Sequence, residues 1–373
     1  MRPRLLRADN FTPATRTPWG GRHILDHYKR GLDLARPQAG DDPAVMAVCG
    51  ESWEISVEPS FPSRLADDDT LLAVAIAAEP ERWLGPAAVA RGLEQTPLLV
   101  KIVDAREQLS VQVHPAIDDP LLAEHESGKL EVLFVLRTSS DDAGVYLGFR
   151  DGVSRDHVEQ CLRSGGRLDQ LMNFVPVRCG DALTIEAGTV HAIGAGVTLL
   201  EPQYVSPGRS GVTYRFWDWN RRYDGHGVQS EDGQPRPLHI DRALAVTDWD
   251  GPRGQELLDR CRSRSSPPRP PSTAASPCRQ SIATSSRFAV ERWSGAGALV
   301  IPAMDTLLGV VCIAGAGELS TAGGAVAIRR GQSAVVPAAA GDLTVVGHPE
   351  NGSRGGPAAL EPGIDLLVAH SAV

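Results

Sequence analysis

The strongest constraint on the fold is the alternating stretch Leu109–Val113, Leu-Ser-Val-Gln-Val, which runs directly into His114 and Pro115. Alternation of apolar and polar residues marks a half-buried strand, and side chains two apart share a face. Gln112 and His114 therefore project together. After a short polar gap the chain continues Gly-Lys-Leu-Glu-Val-Leu-Phe-Val-Leu over 128–136, a second strand opened by Glu131. Lys129, two residues before Glu131, faces the same side. A third stretch, 180–196, is rich in glycine and carries His191. An amide oxygen, two imidazoles and a carboxylate on paired strands form a donor set suited to a zinc-like divalent cation.

A chain of 373 residues has room for two or three domains with ample core. Its net charge of −9 argues against a general nucleic-acid role, and no helix-turn-helix pattern is visible. An anionic substrate would need a local cluster of basic side chains working against that charge. The six cysteines form no CxxC pair, which predicts reduced thiols in a cytoplasmic protein. The N-terminal stretch lacks the apolar region of a signal peptide, and no run of some 18–20 apolar residues predicts a membrane span.

The rest of the chain reads as mainly β with helical decoration. Trp53–Val57 reads as a strand. Residues 71–85 read as helical with a stop near Pro80. Residues 154–173 have helical spacing, with Ser154 as N-cap and a break at Gly165–Gly166, and a short helix is expected at 254–260. Residues 262–287 are dense in Pro, Ser and Arg and read as a linker or surface loop. Beyond them, strand patterns alternate with Gly-rich turns, which predicts a second small barrel or sandwich. No histidine occurs between residues 240 and 347, so a second metal site of the first kind is not expected there. The domains implied are 1–255, a connecting segment 256–287, and 288–373.

Several motifs in one order carry a family resemblance: LSVQVHP, GKLEVLFVL, GDALTIEAGTVHAIGAG and VTYRFWDWNR, with TPWGG and GESWEIS before them. Together the chain resembles the type I mannose-6-phosphate isomerases of the cupin superfamily, strongly over about residues 15–220. The resemblance implies two cupin barrels, the first holding one Zn²⁺ per chain and the second metal-free. It implies Gln112, His114, Glu131 and His191 as metal ligands, and places Lys101, Lys129, Glu201 and Arg215 around a sugar-phosphate substrate. The implied activity is interconversion of mannose 6-phosphate and fructose 6-phosphate through a cis-enediol. Two departures stand out. Glu186 occupies a position where the usual second cupin motif has Pro, and the segment before Tyr214 lacks the family's Asn-Ser-Asp, so no role resting on that Asp transfers.

Each residue also has a plain reading. Lys101 interrupts an apolar strand, so it either snorkels or faces a polar pocket. Glu201, inside VTLLEPQYV, needs a partner if buried; burial would raise its pKa toward that of a general base, and Gln203 shares its face. The bland alternative pairs Glu201 with an arginine. Arg215 can offer a fork of donors to a phosphate, or can be a structural partner of Glu201 or Asp218. Ser110 and Lys129 are possible helpers in phosphate binding. Two rival functions share this pattern. One is a cupin Fe(II) dioxygenase using His114, Glu131 and His191, against which Gln112 and Lys129 argue. The other is a non-catalytic sugar-phosphate-binding protein.

Overall fold

Strands that are buried on both faces read as continuous apolar runs rather than alternating ones. This is why LLVKIVDA and KLEVLFVLRT look so hydrophobic. In the computed structural model, which describes residues 1–34, 48–262, 277–348 and 363–372, both are central strands of an antiparallel sheet. Its order is Glu51–Ile55, Leu98–Ala105, Val197–Val205, Lys129–Thr138 and Ala182–Ile185. A second antiparallel sheet faces it, in the order Tyr214–Trp217, Val111–Val113, His191–Ile193, Gly144–Phe149 and Met172–Pro176. The two sheets form the first barrel.

Period 2 sorts the side chains of these strands. Inside the barrel, Val103, Ala105, Leu133, Val135, Val197, Leu199, Val145, Leu147 and Ile193 pack into an apolar plug. Toward one end of the same inward rows the residues become polar, and there the predicted site residues lie. The outward face of the first sheet, including Ile55, Val100, Ile102, Val132 and Leu200, shares one core with Phe288, Val290, Val311, Val335 and Leu367 of the C-terminal region. The outward face of the second sheet is covered by helices Arg155–Arg163 and Ile240–Val246.

The local expectations can be followed individually. Ser154 caps its helix, accepting from the His157 backbone N–H at 3.3 Å. Pro80 does more than stop a helix: one ends at Ala78, and Pro80 opens the next, Pro80–Leu84, where its missing N–H costs nothing. The short helix is present at Gly254–Cys261. Of the segment 256–287, residues up to 261 continue that helix, 263–276 lie outside the described residues, and Cys278–Thr284 is a strand.

Among the described residues, eight C-terminal strands and the N-terminal Arg4–Leu5 form a nine-stranded antiparallel arrangement. Leu308–Thr321 is long enough to pair with Ser333–Val336 and Ile364–Ser371 at one end and with Gly324–Arg329 and Leu343–Gly347 at the other. The N-terminus joins this sheet: Arg4 and Leu5 pair with Val335 and Ala334. No described helix is long and apolar enough to cross a membrane.

Candidate active site and metal centre

Cross-strand register brings the predicted residues together. On the second sheet, Arg215 lies opposite Gln112, and Gln112 opposite His191, so the three form one inward row. On the facing sheet, Trp53 lies opposite Lys101, Lys101 opposite Glu201, and Gln203 opposite Glu131. Between the sheets, Glu131 of the first meets His114 and His191 of the second. Gly128 allows the chain after His114 to close over this end, because a Cβ there would lie 1.9 Å from the Ala116 carbonyl oxygen.

His114, Glu131 and His191 are each at most 1% exposed, and their donor atoms lie within 4.8 Å of one another. Glu131 Oε1 is 3.2 Å from His114 Nε2 and 3.0 Å from His191 Nε2. The far nitrogens settle the tautomers. His114 Nδ1 lies 3.2 Å from the Val212 carbonyl oxygen, and His191 Nδ1 lies 3.0 Å from that of Thr189. A carbonyl oxygen only accepts, so both Nδ1 atoms carry the proton. With both imidazoles neutral, the two Nε2 lone pairs aim at a carboxylate oxygen. That arrangement repels itself unless a cation sits among the three, and the outward hydrogen bonds are those that orient metal-ligating histidines. The residues fit a divalent metal. Gln112 presents its amide nitrogen to His191 Nε2 at 3.3 Å; a half-turn of the amide would present its oxygen instead.

The charges agree with this reading. Burial pushes His114 down to about 3, against the pull of Glu131, so the imidazole is neutral. Burial alone would raise Glu131, but the charges beside it, the Lys129 ammonium among them, hold the carboxyl well below its usual range. Lys129 Nζ stands 3.3 Å from Glu131 Oε2; burial works against its charge, but Glu131 and Glu201 keep its pKa raised.

Glu201 behaves differently. Burial first, then the charge of Glu131, lift it to about 7 despite Lys129 and Lys101 nearby. Gln203 donates its amide N–H to Glu201 and also, at 3.2 Å, to Glu131. The structure thus gives Glu201 an amide partner in place of the arginine of its plain reading. Arg215 is not the structural partner of Asp218 either: Asp218 pairs with Arg221 at 2.8 Å and Arg236 at 3.5 Å. Arg215 donates from Nε to Ser110 at 3.0 Å and from a terminal nitrogen to the Pro237 carbonyl at 2.8 Å. Burial, then Arg236, lower its pKa to about 10, which leaves it a cation at neutral pH.

Lys101 does not snorkel to solvent. It is 7% exposed, its Nζ sits 4.2 Å above the Trp53 ring, and Glu51 Oε2 is 3.9 Å away. Trp53 Nε1 donates to the same Glu51 oxygen at 2.9 Å. Burial would raise Glu51, but Lys101 outweighs it and holds the carboxyl low.

Comparison with known proteins places this geometry. Residues 25–129 match the model of the phosphomannose isomerase type I catalytic domain, and residues 280–351 that of the mannose-6-phosphate isomerase cupin domain. A mannose-6-phosphate isomerase of Streptococcus mutans is 30% identical over 244 residues, which span 65% of this chain and 68% of that protein. The chain belongs to the mannose-6-phosphate isomerase family. A putative mannose-6-phosphate isomerase of Bacillus subtilis is 27% identical over 334 residues, 88% of this chain and 92% of its own. Among solved structures, the mannose 6-phosphate isomerase of Bacillus subtilis superposes with a TM-score of 0.74 at 22% identity, covering 99% of this chain and 100% of that one. A mannose 6-phosphate isomerase bound with zinc and yttrium superposes at 0.67 and 16% identity, with both chains fully covered. The likeness to these structures is one of fold: two cupin barrels, mainly β.

One residue of this family member, Glu51, escaped sequence reasoning, and so did one contact of Gln203. Glu51 joins Lys101 and Trp53, and the period-2 spacing of Glu51 and Trp53 in GESWEIS was the available signal. Gln203 bridges two carboxylates, and only the pairing of its strand with that of Glu131 reveals the second of them.

Proposed function

We propose that this chain interconverts mannose 6-phosphate and fructose 6-phosphate, with one Zn²⁺ per chain held by Gln112, His114, Glu131 and His191. The observation that carries the metal centre is the convergence of His114 Nε2 and His191 Nε2 on Glu131 Oε1, with each Nδ1 held by a backbone carbonyl. Zn²⁺ at such a site polarises carbonyl and hydroxyl oxygens without redox chemistry.

The reaction moves hydrogen between C2 and C1 of the open-chain sugar. A base removes the C2 proton of the aldose as O1 takes up a proton, giving a cis-enediol; the same proton or one from solvent is then delivered to C1 as O2 loses its proton and the C2 carbonyl forms. We assign that base to Glu201. Its carboxyl, lifted to about 7, is poised both to take and to return a proton near neutral pH. Lys129 and Lys101 place two ammonium groups where negative charge develops on the substrate oxygens, in a setting closed to water. Arg215, with Ser110 beside it, is assigned to the phosphate.

The chemistry then belongs to the first barrel, against which helix Gly254–Cys261 packs, and the barrel whose strands begin at Cys278 is metal-free. The cysteine spacing, without a CxxC pair, supports a cytoplasmic setting.

The test is turnover of mannose 6-phosphate by the purified chain as isolated, after chelation, and with zinc restored. Activity lost and regained with zinc is expected. Folded, zinc-loaded protein without turnover would refute the proposal.

A further inference from the structure

The chain contains only three lysines among its 37 basic residues, Lys29, Lys101 and Lys129. Lysine is ordinarily a surface residue, yet all three are buried, at 1%, 7% and 5% exposure. Two belong to the candidate site. The third has no place in the chemistry described above.

Lys29 Nζ lies 2.7 Å from Glu54 Oε1, both side chains 1% exposed, and it donates to the Ala8 carbonyl at 2.7 Å. Glu54 also accepts from Ser52 Oγ at 2.7 Å and, on its other oxygen, from Ser333 Oγ. Ser333 belongs to the C-terminal barrel, where its carbonyl accepts from the Leu6 N–H at 2.9 Å. Glu54 is the extra residue of a β-bulge: Trp53 lies opposite Lys101 and Ile55 opposite Val100, the very next position. A bulge re-aims the strand on either side of it. On one side Ile55 enters the core between the barrels. On the other, Trp53 and Glu51 turn inward and form the wall against which Lys101 rests.

We infer that Lys29 and Glu54 are positioning residues. Their buried pair pins the bulge, the bulge aims Trp53 and Glu51, and those two hold the Lys101 ammonium in the site. Through Ser333, the C-terminal barrel helps fix the geometry of the catalytic one. The catalytic part of this inference rests on the function proposed above.

The test uses the double variant Lys29→Met/Glu54→Gln in the full chain. It removes both charges, so neither is left buried and unpaired. Two measurements are made. The first is acylation of lysine amines by a small water-soluble ester, read by peptide mass spectrometry. With so few lysines, Lys101 and Lys129 are resolved directly. Lys101 should label at least fivefold faster than in wild type, with Lys129 unchanged. The second is mannose 6-phosphate turnover. The kcat should fall about tenfold with zinc content unchanged, and the same change placed in a Lys101→Ala background should cause no further fall.

A folded double variant that labels Lys101 at the wild-type rate overturns the inference. So does equal acceleration at Lys129, which would mean general loosening. If wild type itself shows no turnover, the proposed function fails, and the labelling comparison still decides this point. If the double variant does not fold, Ser333→Ala supplies the same labelling test, with at least a twofold rise at Lys101 expected and an unchanged rate refuting it.

Discussion

Glu201→Gln separates the electrostatic argument from the catalytic one. In the metal-free fold the Glu201 carboxyl titrates near 7, against an ordinary 4.5, because burial and the Glu131 charge disfavour its ionised form. Between these two values the native chain keeps a proton that the unfolded chain has released. Stability therefore falls as pH rises through this window, with the full contribution present below 4.5 and lost above 7. The shift is about 2.5 pH units, and at 1.36 kcal/mol per unit Glu201 costs the fold about 3 kcal/mol at pH 8. The neutral amide of Glu201→Gln removes that cost. The assay is urea unfolding of chelated wild type and variant from pH 5 to pH 8.5. The stability difference, variant minus wild type, should rise by about 3 kcal/mol across that range, with most of the change between pH 5 and 7. A flat difference would refute the raised pKa and, with it, the assignment of Glu201 as the proton carrier. A difference that falls with pH would place a stabilised carboxylate at this position instead.

His191→Ala removes one of the two nitrogens that converge on Glu131. Wild type at a zinc concentration a thousandfold above its dissociation constant should gain about 4 kcal/mol, and for a chain of this length about 5 °C in Tm. The variant should lose that zinc-dependent shift together with turnover, and a retained shift would sink the ligand assignment. Lys129→Ala should keep bound zinc, measured by metal analysis, and lose turnover by about a hundredfold, the scale of one preorganised electrostatic group. An unaltered rate would return Lys129 to a purely structural partner of Glu131.

Much of the site was legible from local pattern. Gln112 with His114, and Lys129 with Glu131, share faces because a strand has period 2, a property of a few consecutive residues. The apolar runs around Lys101, Glu131 and Glu201 marked them as buried ionisable groups in need of partners. Which strands meet around them was not legible. Period 2 sets Gln203 beside Glu201, but only register brings Glu131 to the same amide, while Arg215 turns to Ser110 and the Pro237 carbonyl. Pairing register depends on residues tens of positions apart, and period alone does not specify it.

The sequence by itself determined a mainly β chain, two barrels and the residues that converge in the candidate site. Those outcomes follow from alternation, turn residues and motif order, all carried by short stretches. Only the tertiary structure decided that one strand serves two interiors. Its bulge at Glu54 turns Glu51 and Trp53 toward Lys101, and turns Glu54 toward Lys29 and Ser333, more than 270 residues further along the chain. No local rule anticipates that contact. It exists because the outward face of a catalytic sheet had to be buried, and the second barrel is what buries it.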